Sequence, residues 1–139
     1  MKVQKINVKR MAKLNNKGIT FKDYSLNNLT TFKIGGKCDY FLEINTLENF
    51  IKVTDYLSDK DVKIFVLGNG SNLLVSDKGF RGIVIRLKGD FDRIDSKDEY
   101  VECGAGVLLP KLYSYTIGHE LSGLEEGGLI PELSVVQYT

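Results

Sequence analysis

Gly68-Asn69-Gly70-Ser71-Asn72, closed by Leu73, is the stretch of this 139-residue chain whose residue types and spacing could do chemistry. Two glycines one residue apart let the backbone take positive φ and approach another group with no Cβ in the way. Successive N–H groups in such a bend can point into one concavity, a nest suited to phosphate oxygens. Ser71 and Asn72 add a hydroxyl and a carboxamide that can donate to the same anion. The same spacing also suits a tight turn between two strands. No lysine stands in the loop and no helix starts after it, so the GxxxxGK[ST] phosphate loop of nucleoside triphosphatases is excluded. A dinucleotide fingerprint fails as well, because Leu73 stands where its third glycine belongs. What remains is a neutral nest between strands, able to hold a diphosphate but with no apparatus for transferring one.

Other reactive side chains offer less. Cys38 and Cys103 form no CxxC pair and read as two free thiols. With a single histidine, His119, they fall short of a zinc ligand set. His119 falls near the end of a helical pattern and reads as a solvent-facing residue favoured by the helix dipole rather than a base. Asp77, Glu125 and Glu126 read as turn or surface carboxylates.

The elements that must position the loop follow from periodicity. Cys38 to Ile44 is aromatic and apolar and reads as a strand. Thr46 is placed as an N-cap, with Leu47, Phe50, Ile51, Thr54 and Leu57 as the buried stripe of a helix and Glu48, Asn49, Lys52 and Asp55 on other faces. A strand from Lys63 to Leu67 follows. Strand, helix and strand make a βαβ unit, which implies parallel neighbours and puts the loop at the carboxyl end of a parallel strand. Further on, Gly82–Leu87 and Tyr100–Cys103 read as strands, Phe91–Ile94 as another, and Asp95–Glu99 as a solvated turn. A second helix carries Leu109, Leu112, Tyr113, Thr116 and Ile117 on one face, with Pro110 in its first turn. Ser122 to Pro131 is a second glycine-rich loop. Residues 1–25 are mixed and polar and are expected to form an amino-terminal extension, in which Ile6, Val8, Met11 and Leu14 make one short helix face.

Composition bounds the rest. Hydrophobic residues are 42% and charged residues 27%, which fits a core-forming chain. The net charge of +1 calls for neither nucleic acid nor an anionic membrane as partner. No apolar run approaches the ~20 residues of a membrane span. The basic amino terminus lacks the apolar centre of a secretory signal, so a reducing cytoplasm is the expected location.

Taken together, Thr30-Thr31-Phe32-Lys33-Ile34-Gly35-Gly36, then Leu67 to Val75 with Asp77 and Gly79, then Gly82-Ile83-Val84-Ile85, resemble the UDP-N-acetylenolpyruvoylglucosamine reductase family. Gly104-Ala105-Gly106-Val107 and Leu121-Ser122-Gly123-Leu124-Glu125 extend the resemblance over residues 26–131. It implies an α/β (α+β) fold, the first small lobe of an FAD-binding domain of the vanillyl-alcohol-oxidase/PCMH type. That lobe would contain the βαβ unit and a mixed sheet. It implies FAD as cofactor, NADPH as hydride donor and a UDP-sugar as substrate. Hydride would pass through the flavin to the enolpyruvyl double bond in peptidoglycan synthesis. By resemblance, Gly68, Asn69, Gly70, Ser71, Asn72 and Leu73 line the FAD diphosphate, and Ile130-Pro131 begin the second wall of the flavin site. Two other readings stay open: a nucleotide- or FAD-binding module working with a partner chain, and another flavin oxidoreductase of the same superfamily.

The resemblance breaks after Pro131. The family continues with a glycine-rich run, whereas this chain reads Glu132-Leu133-Ser134-Val135-Val136-Gln137-Tyr138-Thr139. One permitted coding is GAA CTG TCG GTG GTG CAA TAT ACA. A G placed in front regroups it to read Gly-Thr-Val-Gly-Gly-Ala-Ile-Tyr, the family's continuation. The expectation is therefore a single-base deletion after the Pro131 codon, with residues 132–139 an aberrant tail and the second lobe truncated. The arginine, serine and glutamate that the family uses beside the flavin have no position here. No residue of this chain is expected to be catalytic, and binding of FAD by the chain alone is expected to be poor.

Overall fold

A computed structural model describes residues 6–68, 70, 73–97 and 100–124. Its centre is β2 (Lys37–Ile44), where apolar residues serve both faces of a sheet. β2 runs parallel to β4 (Phe80–Leu87), which runs parallel to β3 (Ile64–Leu67). β1 (Ile19–Ser25) pairs antiparallel with β2, so the order is β1-β2-β4-β3 and the sheet is mixed, as expected. α2 (Leu47–Leu57) joins β2 to β3. The two strands are parallel but not neighbours, because β4 is inserted between them. The continuous apolar run Ile83-Val84-Ile85 accounts for that: it is buried on both faces, which only a central strand can be.

Each face has its own core. Ile83 and Ile85 of β4 and Leu42 and Ile44 of β2 pack with Met11, Val53 and Leu57 under the helices. Val84, Phe41, Cys38 and Leu67 face the other way and pack with Leu26 and Leu29 of a 3-10 turn, Leu26–Leu29. Cys38 and Phe41 share that face, against strict alternation, next to a β2–β4 register shift in which β4 carries the extra residue between Phe80 and Ile83.

Residues of the expected extension are woven into this sheet. α1 (Val8–Leu14) buries Met11, and β1 forms the edge beside β2. The strand escaped pattern reading because its exposure does not alternate and Asp23 takes φ +52 in mid-strand. The α2 boundary and cap are as expected: Thr46 Oγ1 accepts from Asn49 N–H at 3.2 Å. Its buried face is rotated from the expected one. Asn49, Val53 and Leu57 are buried, while Leu47 and Ile51 are 55% and 50% exposed.

Downstream, Gly89–Asp92 is a 3-10 turn, not the start of the strand expected at Phe91–Ile94. β5 (Ile94–Lys97) and β6 (Tyr100–Cys103) form a separate antiparallel pair. The charged Asp95–Lys97 segment expected as turn thus lies in strand, because Ile94 through Lys97 pair with Cys103 through Tyr100. α3 (Leu109–Gly118) follows, with Pro110 in its first turn and Thr116 its one buried residue. Ile117, expected on the inner face, is exposed.

Candidate functional site

The glycine-rich loop leaves the end of β3 at Leu67, the carboxyl edge of the parallel strands. Of the residues expected to line it, Gly68, Gly70 and Leu73 are described; Asn69, Ser71, Asn72, Ile130 and Pro131 lie outside the described residues. Gly70 takes φ +73, and a Cβ placed on it would lie 2.1 Å from Leu29 O. Its glycine is therefore required by the chain's own backbone, whatever ligand the loop holds. Thr31 N–H donates to Gly70 O at 3.2 Å, which fastens the loop to the segment before β2.

The same segment fastens the loop's far end. Gly36 N–H donates to Ser76 O at 3.0 Å, and Gly79 N–H donates to the same carbonyl at 2.8 Å. A Cβ on Gly36 would meet Asp77 O at 2.2 Å, and one on Gly79 would meet Lys37 O at 2.0 Å. The sequence blocks at residues 30–36 and 67–79 are thus two sides of one backbone crossing. Sequence reading identified both blocks but not that each needs its glycines because of the other. The paired glycines of each block were the available signal.

Under the loop lies an apolar cavity of about 200 Å³, with Leu26, Leu29, Leu67, Leu73, Val75 and Phe80 among its walls. Pockets that bury a drug-sized ligand measure roughly 300–1,000 Å³, so this space admits only part of a dinucleotide. Asp77 is an exposed turn residue whose contribution to the crossing is its carbonyl, not its carboxylate. His119 caps the end of α3 in solvent, its Nδ1 2.8 Å from Tyr115 O. Cys38 is buried and its Sγ lies 3.6 Å from Tyr24 O; burial pushes its thiol pKa up, against activation as a nucleophile. Cys103 is exposed, and both thiols are free. Glu125 and Glu126 lie outside the described residues. Among the described residues no group of three His, Cys, Asp or Glu could hold a metal ion.

The loop thus leaves the carboxyl end of a parallel strand at Leu67 and returns at Leu73, both of which line the apolar cavity. The sequence pattern of the family described as FAD binding domain matches residues 38–135, and the chain belongs to that family. Within it, the similarity is to UDP-N-acetylenolpyruvoylglucosamine reductases. The enzyme of that name from Carboxydothermus hydrogenoformans is 42% identical over 103 residues, 73% of this chain and 34% of the relative. Those from Desulforamulus reducens and Bacillus subtilis are each 39% identical, over 73% and 76% of this chain and 34% and 35% of theirs. The crystal structure of UDP-N-acetylenolpyruvylglucosamine reductase (MurB) from Thermus caldophilus superposes with a TM-score of 0.63 at 34% identity. It covers 84% of this chain and 39% of that one. The chain spans about a third of the length of the curated relatives it matches.

Proposed function

We propose that this chain is the first lobe of the flavin domain of a UDP-N-acetylenolpyruvoylglucosamine reductase, contributing one wall of its FAD site. The observation that carries this reading is the crossing of the 30–36 and 67–79 segments, which fastens Gly70 and the limb from Ser76 to Gly79 where a parallel strand ends. The loop from Gly68 to Leu73 would hold the diphosphate of FAD, with backbone N–H groups and the Ser71 and Asn72 side chains as donors. Ile130 and Pro131 would begin the opposite wall. Bound flavin would supply hydride transfer, from NADPH to the enolpyruvyl double bond of a UDP-sugar. This chain's own part is to bind and orient the cofactor. None of its described residues is assigned as acid, base or hydride acceptor. A cytoplasmic location belongs to the same reading. Residues 132–139 fit a shifted reading frame, which the nucleotide sequence tests directly.

The small share of the relatives' length keeps a second arrangement in view, in which the remainder of the domain comes from a partner chain. One experiment addresses both. Purified 139-residue chain is titrated with FAD and then assayed for NADPH oxidation with the enolpyruvyl substrate, alone and with the remaining two-thirds of a relative supplied as a separate chain. Flavin uptake and turnover only in the mixture are expected. Turnover by the chain alone would overturn the assignment of a purely binding role. No flavin uptake in either case would overturn the FAD reading.

A further inference from the structure

We propose that the segment Leu29–Gly36 is a template that holds the glycine-rich loop in its ligand-binding shape, with Thr31 a positioning residue acting through its backbone N–H. The proposal rests on the reading of that loop as a cofactor loop, but its structural half stands apart from which cofactor is bound.

Among the described residues β3 is the edge strand of the sheet, with no strand on its outer side where the loop leaves it. Support has to come from elsewhere. Gly70 is held by Thr31 N–H on its carbonyl and by the close pass of Leu29 O. The returning limb is held where Gly36 N–H reaches Ser76 O and where Gly35, at φ +133, lies against Val75. Both limbs are therefore fastened to one seven- to eight-residue stretch.

That stretch is itself braced. Leu26 and Leu29 are buried beneath it, and Leu26 N–H donates to Gly36 O at 3.0 Å, closing it into a loop. Thr30 is buried, with Oγ1 donating to Ile34 O at 3.3 Å. Lys33 N–H donates to Thr30 O at 3.1 Å, which makes Thr30–Lys33 a β-turn with Thr31 at its second position. The Thr31 side chain is exposed. What the loop receives from this residue is one N–H.

Geometry supplies a way to remove it. Proline is favoured at the second position of a β-turn. The residue before a proline prefers extended backbone, and Thr30 already has φ −118 and ψ 146. Thr31→Pro therefore suits the turn, deletes the hydrogen bond to Gly70 and sets Cδ where the amide hydrogen pointed, which drives the Gly70 carbonyl off the segment. Thr31→Ser and Thr31→Ala change the side chain and keep the N–H.

The test uses the 139-residue chain labelled for NMR, with an FAD titration alongside. Thr31→Pro is expected to move the amide resonances of Gly68, Gly70 and Leu73 and to leave those of Ile44, Ile83 and Ile85 in place. Thr31→Ser and Thr31→Ala are expected to leave all of them in place. Where the unaltered chain takes up FAD, Thr31→Pro should weaken it by at least roughly threefold, the effect of losing one ordinary backbone hydrogen bond with the displacement of Gly70 added, and Thr31→Ala should not. Loop resonances unmoved by Thr31→Pro, or moved equally by Thr31→Ala, would overturn the template. Hydrogen exchange in the unaltered chain decides the case if the proline variant does not fold: the Thr31 amide must be protected, and free exchange there overturns the proposal. FAD uptake absent both from the unaltered chain and from its mixture with the remaining part of a relative overturns the cofactor reading, while the resonances still judge the template.

Discussion

Glycine does two different things in this chain, and substitution by alanine separates them. Gly36 does not take positive φ, yet a Cβ there would lie 2.2 Å from Asp77 O and 2.5 Å from Gly79 N, both backbone atoms that cannot turn aside. Gly118, the last residue of α3, has nothing within 4 Å of the same position. Gly36→Ala should lower stability by about 2 kcal/mol or more, because the crossing of two backbone segments must open. Gly118→Ala should raise it by about 0.5 kcal/mol through lower chain entropy in the unfolded state. Urea unfolding of both variants checks the pair; equal effects would mean the crossing tolerates an extra carbon. At this scale the sequence was legible as to where the glycines matter, since paired glycines mark turns and close passes. Which partner each glycine meets was not, because Leu29 and Gly70 are far apart in the chain and only the fold brings them together.

Elements were legible by type more than by face. The α2 cap at Thr46 and the end near Ser58 follow from local chemistry, and local chemistry is what a sequence displays. Its buried stripe does not, because the pattern was read by hydrophobicity and the structure buries an asparagine. In the orientation that satisfies its neighbours, the Asn49 carboxamide donates to Leu14 O and Asn16 Oδ1, each at 3.2 Å, and accepts from Lys17 N–H at 3.2 Å. Asn45 Nδ2 donates to Lys17 O at 2.8 Å, and Asn15 Nδ2 to Glu43 O at 3.0 Å. Three asparagines thus tie the α1–β1 turn to β2 and α2, which is how a polar amino-terminal stretch becomes part of the sheet. Asn49→Leu should cost about 1–3 kcal/mol, since it removes a buried carboxamide's hydrogen bonds to Leu14, Asn16 and Lys17. Ile51→Ala, at a position half exposed, should stay within roughly 1 kcal/mol. Thermal unfolding compares them, and a larger loss at Ile51 would restore the stripe expected from periodicity. β4's place between β2 and β3 has a similar explanation: the βαβ pattern fixes direction, while the order of strands depends on which one is apolar on both sides.

At the scale of the whole molecule, the two faces of the sheet are unequally covered. α1 and α2 cover the face of Ile83 and Ile85, but no described helix contributes to the cluster of Val84, Phe41 and Leu67. Among the described residues that face is covered by Leu26, Leu29, Leu73, Val75 and their neighbours. Phe65 and Leu74, on the walls of the apolar cavity there, are 39% and 74% exposed. β3, which carries Phe65, pairs on one side only among the described residues, and an apolar face beside an unpaired edge favours contact with another chain. The longer relatives have roughly twice as much additional chain with which to cover such a surface; this chain in isolation has another copy of itself. It should therefore self-associate with rising concentration in sedimentation velocity. Leu74→Lys should weaken the association by on the order of tenfold and, because the side chain is mostly in water, change monomer stability by no more than about 0.5 kcal/mol. Adding the remaining part of a relative as a separate chain should suppress association in the unaltered protein as well. A chain that stays monomeric throughout, or association indifferent to Leu74→Lys, would place the sticky surface elsewhere.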